Sequence, residues 1–433
     1  MIEEVEYKKR RDRLAKKLDK NSVTVLYSAE HQTRSNDTEY PYRQNSNFYY
    51  LTGFTESNSA LVFVKKQTKV KVYLFVEAKD EAQELWTGKR LGEIEAKKKF
   101  LVDEVFVIKD FNLKLKDYLT NKSVLYFDFN LQYNKVKVIK RHSKDLSTYK
   151  NIALLVNEMR LIKSKAEVQI IRNALEITKE AHHQLMKMSK NSKNEHELQA
   201  EIEYVFKKNG AYSDAYTSIV ACGNSANTLH YIDNDKVLSE GSLILIDAGC
   251  EYEYYASDIT RTIPVSGKFT KPQKELYEMI LNVQLQIIAQ IKPGFKRSDL
   301  QVNAVELLTK GMLRLGILKG SVKKLIKKEL YKKYYPHGIG HWMGIDVHDE
   351  SPYKYENGKE IPLKRGMVLT IEPGIYIDEN DISVPEKYRG IGIRIEDDIL
   401  VTKDGYENLS QNIAKSIEEI EGLSEYKNSN FEE

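Results

Sequence analysis

The first part of the chain alternates short runs rich in β-branched and aromatic residues with charged, amphipathic stretches. This alternation is typical of an α/β domain. The strands that it predicts are Ser22–Tyr27, Ala60–Val64, Val70–Val76, Glu104–Ile108 and Ser123–Phe127. A polar Lys/Gln/Thr turn separates the second and third strands, so we expect these two to form a hairpin. Residues 81–100 predict a helix that Gly88 and Gly92 interrupt.

One polar and aromatic stretch, residues 39–53, follows neither a period of 2 nor a period of 3.6. From the pattern alone we interpret it as a surface loop that its aromatic side chains hold in place. The alternative interpretation is the wall of a cleft or an interface.

A charged stretch at residues 157–165 separates this region from a second one with a different pattern. Helices are expected from Ile170 to Leu185, over residues 195–208, from Thr270 to Pro293, and after the capping-box residues Ser298–Gln301. Strands rich in Val, Ile and Thr are expected at Ser218–Ala221, Leu243–Ala248, Ala256–Val265, Val368–Ile371 and Ile391–Val401. We therefore predict two domains, residues 1–160 and 161–433, the second of which is an α+β domain with a mainly antiparallel sheet.

Composition narrows the class of protein. The 433 residues are 30% charged with a formal net charge of only +4, which gives no support for binding nucleic acid. The Lys-rich stretch 323–333 keeps its apolar residues at helical spacing, so it predicts a solvated helix rather than a basic patch. No apolar run approaches the ~18 residues that a membrane span needs, and no signal peptide is recognised. Two cysteines exclude a disulfide framework and favour a reducing, cytoplasmic setting. The end from Asn428 predicts a frayed tail.

Three of the nine histidines, His337, His341 and His348, fall within residues 335–349 and are spaced by glycines. The glycines and Pro336 disfavour a long helix, so a strand and loop that points imidazole rings into a cleft is expected. Such a cluster is typical of a metal site or an acid–base site.

Four acidic residues end or interrupt apolar strand patterns elsewhere in this region: Asp247, Asp258, Glu372 and Glu396. Strand alternation in residues 391–396 places the isoleucines on one face and directs Glu396, together with an arginine, to the other face. Buried carboxylates that lie close together repel one another unless a cation lies between them.

These residues predict a two-metal site, because four carboxylates balance two divalent cations. The proposed ligands are Asp247, Asp258, His341, Glu372 and Glu396. Oxygen ligands with one imidazole favour Mn²⁺, with Co²⁺, Fe²⁺ and Zn²⁺ as alternatives. Two metals ~3.5–4 Å apart, with a bridging hydroxide, can make a nucleophile and also polarise a carbonyl group, so the predicted reaction is hydrolysis.

The same stretches resemble the motifs of the pita-bread metallopeptidases, and within these the aminopeptidase P (Xaa-Pro aminopeptidase) family. The motifs lie at residues 247–249, 258–262, 337–341, 346–349, 371–376 and 392–397. Residues 40–53 are similar to the creatinase-type N-terminal domain of that family, which replaces the surface-loop interpretation. The resemblance, over about residues 5–410, implies an α/β creatinase-type domain followed by an α+β pita-bread catalytic domain. It also implies hydrolysis of the N-terminal Xaa-Pro bond by attack of a metal-bridging hydroxide.

The resemblance also implies roles for individual residues. The five proposed ligands would hold two metal ions, usually Mn²⁺, and Glu372 would take the proton of the nucleophile. The cleft residues that it implies for binding substrate or stabilising the tetrahedral intermediate are His230, His337 and His348, with Arg394 as support and Trp86 as a cleft-closing residue, sometimes from a neighbouring subunit. Peptides with proline in the second position are the implied substrates, and a homodimer or homotetramer is expected. Residues 349–352 lack a glycine that the family motif leads us to expect, which leaves the preferred peptide length open.

Two alternatives remain at this level. Prolidase shares the metal ligands but cleaves Xaa-Pro dipeptides, whereas a pita-bread fold kept only as a binding module loses metal carboxylates. All five ligand positions are filled in this chain, which favours an enzyme. Proline is a reasonable target because its tertiary amide lacks an N–H group, and protonating its nitrogen requires a nearby acid.

Overall fold

The structure is a computed structural model that describes residues 2–144, 146 and 148–425. The chain divides into two compact units, Met1–Arg160 and Leu161–Glu433. The predicted frayed tail from Asn428 lies outside the described residues. No helix in the described part of the chain is both long and apolar enough to cross a membrane.

The first unit is built on a mixed sheet. Its strands are β1 Ser22–Tyr27, β2 Thr33–Ser35, β3 Thr38–Glu39, β4 Ala60–Lys66, β5 Lys69–Val76, β6 Glu104–Val107, β7 Val124–Phe127 and β8 Thr148–Asn151. Its helices are α1 Glu4–Lys17, α2 Ser46–Thr52, α3 Glu81–Thr87, α4 Gly92–Lys99, α5 Phe111–Leu119, α6 Tyr133–His142 and α7 Ile152–Arg160. The main sheet has the order β6-β5-β4-β1-β7-β8 among the described residues. Its outer pairs are parallel, as expected where helices connect the strands, and β4 pairs antiparallel with both of its neighbours.

The predicted elements of this unit are confirmed. β1 has the predicted bounds and is buried at every position. The hairpin of β4 and β5 forms across the polar turn. The predicted helix of residues 81–100 is two helices, α3 and α4, which are separated at the two glycines. Strands that alternate with covering helices give the expected α/β architecture.

The surface-loop interpretation of residues 39–53 is wrong for residues 46–52. Residues 46–52 form α2, in which every residue after the first is buried. The helix begins after Asn45, whose side chain accepts a hydrogen bond from the Phe48 N–H group, and it ends at Gly53 in the left-handed region. A Cβ at Gly53 would lie 2.5 Å from the Tyr7 ring. A helix that is buried on all sides has no polar face, so the sequence shows no helical period.

The second unit places long helices over small antiparallel sheets. Its helices are α8 Lys165–Met188, α9 Glu195–Lys208, α10 Lys271–Ile288, α11 Arg297–Arg314, α12 Val322–Lys327 and α13 Ile417–Glu425. Its strands are β9 Ser213–Asp214, β10 Ile219–Cys222, β11 Leu243–Asp247, β12 Cys250–Tyr252, β13 Tyr255–Ala256, β14 Thr260–Pro264, β15 Val368–Ile371, β16 Gly374–Tyr376, β17 Gly392–Arg394, β18 Asp397–Val401 and β19 Tyr406–Asn408. The strand pairs are antiparallel and share one large apolar core with the helices. The predicted α+β architecture is confirmed.

Three predictions in this unit need correction. α11 begins at Arg297 rather than after a Ser298 cap, because the Ser298 N–H and hydroxyl groups both bind the Glu360 carboxylate. The Lys-rich stretch is two short pieces, α12 and a 3₁₀ turn at Leu330–Lys333, because Glu329 adopts a left-handed conformation between them.

The third correction concerns two predicted strands that are broken. The first is interrupted at residues 257–259, and the second is interrupted at residues 395–396. Asp258 therefore stands just before β14 rather than within a strand, and Glu396 stands between β17 and β18. Both carboxylates lie where the backbone has left the regular hydrogen bonding of a strand, so their side chains can point into a cavity.

Candidate active site

Strand register brings the predicted ligands together in the second unit. Asp247, the last residue of β11, is paired with Thr260 of β14. Pairing of Ile371 in β15 with Asp397 in β18 sets Glu372 opposite Glu396. The Glu396 N–H group donates to the Thr260 carbonyl oxygen at 3.1 Å, and this backbone contact joins the two strand pairs.

One tight turn makes this return of the chain feasible. A Cβ on Gly249 would lie 1.9 Å from the Ser257 carbonyl oxygen, so only glycine lets the two segments approach so closely. Gly340 has the same role in the histidine segment, where a Cβ would lie 1.9 Å from the Thr370 carbonyl oxygen. The Asp-Ala-Gly and His-Gly-Ile-Gly-His patterns therefore carry a packing requirement as well as chemistry.

A cavity of about 430 Å³ holds all the site residues predicted for this unit. Those in its wall are Asp247, Asp258, His341, Glu372, Glu396, His230, His337, His348 and Arg394. Trp86 belongs to the first unit, where it lies on α3 with 83% of its surface exposed. Apolar side chains such as Ile219 and Val347 complete the cavity wall.

Asp258, His341 and Glu396 form the densest group of potential ligands. One donor atom from each lies within 4.8 Å of the others. His341 Nε2 is 3.2 Å from Asp258 Oδ2 and 3.8 Å from Glu372 Oε1. His341 Nδ1 lies 3.0 Å from the Trp342 carbonyl oxygen, to which it donates, so Nε2 is the nitrogen that faces the carboxylates. This orientation is the one that a metal ligand needs.

The pKa values of the same groups show that their charges are not balanced by the protein. Burial, together with the charges of Asp258 and Asp247, raises the pKa of Glu372 to about 7, although His341 and Arg394 act in the opposite direction. Burial and the neighbouring carboxylates hold the pKa of Glu396 well above its usual range. Burial lowers the pKa of His341, but the hydrogen bond and charge of Asp258 outweigh it and raise the pKa to about 9. Divalent cations would neutralise this group, so the donor set fits a metal site.

A second part of the cavity is internally paired. Arg394 Nη2 donates to Asp247 Oδ2 at 2.6 Å, and Arg394 Nη1 donates to the Tyr376 hydroxyl oxygen at 2.9 Å. The Tyr376 hydroxyl in turn lies 2.8 Å from His337 Nε2. His337 Nδ1 lies 2.8 Å from the Gly338 carbonyl oxygen, so Nε2 accepts the tyrosine proton. Burial, and secondarily Arg394, lowers the pKa of His337 to about 4, which keeps the ring neutral.

The other two cleft histidines are more open. The His348 ring packs edge-on against the His341 ring, with a centroid distance of 4.2 Å. Burial and the charge of His341 lower the pKa of His348, so this ring is neutral near pH 7. His230 lies in the cavity wall and is exposed. Both are therefore accessible to a bound molecule.

Several residues that contact the site were not singled out from the sequence. The Tyr216 hydroxyl donates to Asp247 Oδ1 at 2.6 Å, and the Thr260 hydroxyl donates to Glu396 Oε2 at 2.7 Å. Gln301 Oε1 on α11 accepts a hydrogen bond from the Ile339 N–H group, and Arg297 donates to the Gly340 carbonyl oxygen at 3.1 Å. Thr260 and Tyr376 lie inside the quoted motifs and could have been singled out there. No local pattern indicates a role for Tyr216, Gln301 or Arg297, because only tertiary packing brings them to the site.

Known proteins are similar to this chain in sequence and in fold. Residues 169–403 match the model of metallopeptidase family M24, and residues 7–126 match the aminopeptidase P N-terminal domain. The fold and the ligand cluster thus define the class of protein as a pita-bread metallopeptidase. The chain is 40% identical to a Xaa-Pro aminopeptidase of Haemophilus influenzae over 97% of each chain, and 39% identical to that of Escherichia coli over 98% of each. Zinc-substituted E. coli aminopeptidase P, solved with a product, matches with a TM-score of 0.94 at 38% identity, covering 98% of both chains.

The chain therefore belongs to the Xaa-Pro aminopeptidases of metallopeptidase family M24. The predictions of the family, of the two-part fold and of a metal-dependent aminopeptidase are confirmed. A metal site in the second unit is supported by the donor set described above.

Proposed function

We propose that this protein removes the N-terminal residue from peptides whose second residue is proline, and that two divalent ions, with Mn²⁺ preferred, support the reaction. The observation that carries this proposal is the convergence of four acidic residues and His341 on one cavity, beside three further histidines. The proposed metal ligands are Asp247, Asp258, His341, Glu372 and Glu396. When bound, the ions supply an activated water at neutral pH and polarise the scissile carbonyl. The proposed functional domains are residues 1–160 and 161–433, which coincide with the two compact units.

Glu372 is the proposed carrier of the proton. Its carboxyl group lies in the cavity wall with Oε1 3.8 Å from His341 Nε2, so it reaches the space that the attacking water would occupy. It can accept the proton of the attacking water and deliver it to the proline nitrogen, which has no proton of its own and leaves poorly as an anion. The Glu372 N–H group donates to the Ile339 carbonyl oxygen at 2.9 Å, which ties the carboxylate to the histidine segment.

The cleft histidines and Arg394 are proposed to bind and orient the peptide. His348 is accessible and neutral, so one ring N–H can donate to the carbonyl oxygen of the first residue as negative charge develops there. Both ring nitrogens of His337 already have partners, which supports a positioning role beside the reacting bond. His230 is proposed to bind the substrate at the open side, and Arg394 holds Asp247 and Tyr376 in place.

A homodimer or homotetramer is also proposed, with Trp86 meeting a neighbouring subunit. Leu85 and Trp86 are adjacent on α3 and are each 83% exposed, which is unusual for large apolar side chains. Light scattering of the purified protein, compared with Trp86→Ala, tests this proposal. A monomer would contradict it. The cytoplasmic setting remains a proposal as well, and it is supported by Cys222 and Cys250, which are both free and buried.

Product analysis tests the activity. The protein loaded with Mn²⁺ is offered Ala-Pro-Ala beside Ala-Pro, and released alanine is measured. Release mainly from the tripeptide is expected. Cleavage of the dipeptide alone would reassign the activity to a prolidase, and cleavage of neither would leave a binding module.

A variant pair tests the role of Glu372. Glu372→Gln is expected to lose about 10²–10⁴-fold in kcat, because the amide cannot transfer a proton. Glu379→Gln, an exposed acid outside the cavity wall, is the control and should retain full activity. Equal activity of both variants would contradict the proposed role.

A further inference from the structure

A second cavity of about 400 Å³ adjoins the catalytic cavity within the second unit. Leu229 lies in the walls of both. Tyr376 lines the second cavity, while its hydroxyl contacts His337 and Arg394 in the wall of the first. Pro336, also in the wall of the second cavity, directly precedes His337. The second cavity is therefore the neighbour of the catalytic cavity on the side of Leu229 and His337.

The geometry of an aminopeptidase decides which part of a peptide can reach this space. Only one residue precedes the bond that is cleaved, so the substrate has a single side chain on that side. Every further residue lies on the side of the leaving proline. A second cavity adjoining the first is therefore matched to the residues that follow proline.

The polar groups of the second cavity are unequally compensated. Asp381 is neutralised, because Lys333 Nζ lies 2.6 Å from its Oδ2 and the Tyr334 hydroxyl donates to the same oxygen at 2.9 Å. Asp378 is different: its Oδ1 accepts from the Asn380 N–H group at 2.8 Å, and its Oδ2 lies 3.5 Å from the amide of Asn224. Among the described residues, no Lys, Arg or His nitrogen lies within 4 Å of the Asp378 carboxylate. The cavity thus presents one exposed, uncompensated negative charge.

We propose that the second cavity is the subsite for the third and fourth residues of a peptide substrate, and that Asp378 makes it favour lysine or arginine there. The proposal rests on the proposed function, because it assumes that a peptide occupies the catalytic cavity. Tyr376, Pro336 and Leu229 supply apolar surface for the aliphatic part of such a side chain, and Asp378 pairs with its charged end.

The test compares peptides that differ only in charge. Ala-Pro-Xaa-Ala and Ala-Pro-Ala-Xaa are prepared with arginine or its neutral isostere citrulline, and Xaa-Pro-Ala-Ala is added with the same pair at the first position. We expect kcat/KM to be about two- to fivefold higher for arginine at the third or fourth position, as is typical of an exposed ion pair. The ratio should shrink as salt is raised, because the pair is exposed.

Two variants assign the effect to its residue. Asp378→Asn keeps the acceptor for the Asn380 N–H group but removes the charge, so the arginine-to-citrulline ratio should fall to about one. Glu379→Gln removes a neighbouring exposed charge that lies outside the cavity wall, and the ratio should persist. A ratio that is unchanged in Asp378→Asn, or that appears only at the first position, would overturn the proposal.

A measurement without turnover separates this proposal from the proposed function. Calorimetric binding of the same peptides to Glu372→Gln should give the same preference for arginine. If the parent protein cleaves no peptide but binding shows the preference, the proposed function fails and the subsite stands. If the parent protein cleaves all the peptides at equal rates, the proposed function stands and the subsite proposal fails.

Discussion

The two halves of the catalytic cavity are built in opposite ways. Around Arg394, each charged or polar group meets a partner of the protein: Asp247, Tyr376 and His337 form one continuous hydrogen-bonded chain. Around His341, the carboxylates of Asp258, Glu372 and Glu396 face one another, and the pKa values of both glutamates are raised. The paired half is completed by folding alone, whereas the acidic half is completed only by protons or cations. The difference separates a part that the protein's own hydrogen bonds hold in place from a part that needs cations, and the proposed ligand Asp247 joins the two.

The largest effect is expected when one carboxylate is removed from the acidic half. Glu396→Gln should weaken Mn²⁺ binding by at least about a hundredfold, because a direct ligand matters more than an outer contact. The same substitution should make the metal-free protein more stable, because it relieves repulsion. Calorimetric titration with Mn²⁺ and urea unfolding in chelator measure the two effects, with Glu386→Gln at an exposed position as the control. Unchanged Mn²⁺ affinity would remove Glu396 from the ligand set.

Removing one carboxylate from the paired half should instead lower the stability of the metal-free protein. Asp247→Asn leaves the buried Arg394 guanidinium without its carboxylate partner, so the metal-free protein should lose about 3 kcal/mol of unfolding free energy. Urea unfolding in chelator measures this loss, and Asp404→Asn at an exposed position serves as the control. A gain in stability would show that the two halves do not differ as described.

The next effect is the pH dependence of stability and of metal binding in the acidic half. Folding raises the pKa of Glu372 from 4.5 to about 7, so folded metal-free protein binds more protons than unfolded protein between these values. Its contribution to stability is fully present below pH 4.5 and is lost as the pH rises through 7. Metal competes with protons on Glu372, His341 and Glu396, so Mn²⁺ affinity should fall by at least about tenfold per pH unit below pH 7. Titrations at several pH values check this slope, and Glu372→Gln should make it shallower.

The smallest expected effect lies within the paired chain. Tyr376→Phe removes the hydroxyl that joins His337 to Arg394, so kcat should fall about tenfold with little change in KM. Tyr388→Phe is the control, because that hydroxyl also has a close charged partner, the Glu275 carboxylate, but lies outside the cavity wall. If both variants lose the same activity, the bridge between His337 and Arg394 does not orient the site.

Much of the fold was predictable because local pattern and tertiary environment agree. β1 is rich in residues that favour strands and is buried throughout, and α9 has the bounds that its period and following glycine indicate. α2 escaped prediction because it is buried on all sides and therefore lacks a polar face. The Ser298 cap was wrong because Glu360, distant in sequence, competes for the same groups.

The candidate site also contains some residues that the sequence indicates and others that only the tertiary structure reveals. Residues at motif positions, such as His341 and Glu396, were recognisable because their chemistry is unusual at the end of an apolar strand. Tyr216 and Gln301 were not, because a tyrosine or glutamine in a loop or a helix is ordinary until packing places it against Asp247 or Ile339.

The sequence by itself determined the residue types, the glycine positions and the class of metal-dependent hydrolase, since these follow from composition, spacing and recognisable motifs. Only the tertiary structure decided that one half of the cavity is paired and the other is left acidic. It alone also revealed that Asp381 has a nearby cation, Lys333, whereas Asp378 has none among the described residues. The physical reason is that charge compensation depends on distances across strand pairs and loops, and such distances have no counterpart in the order of residues along the chain.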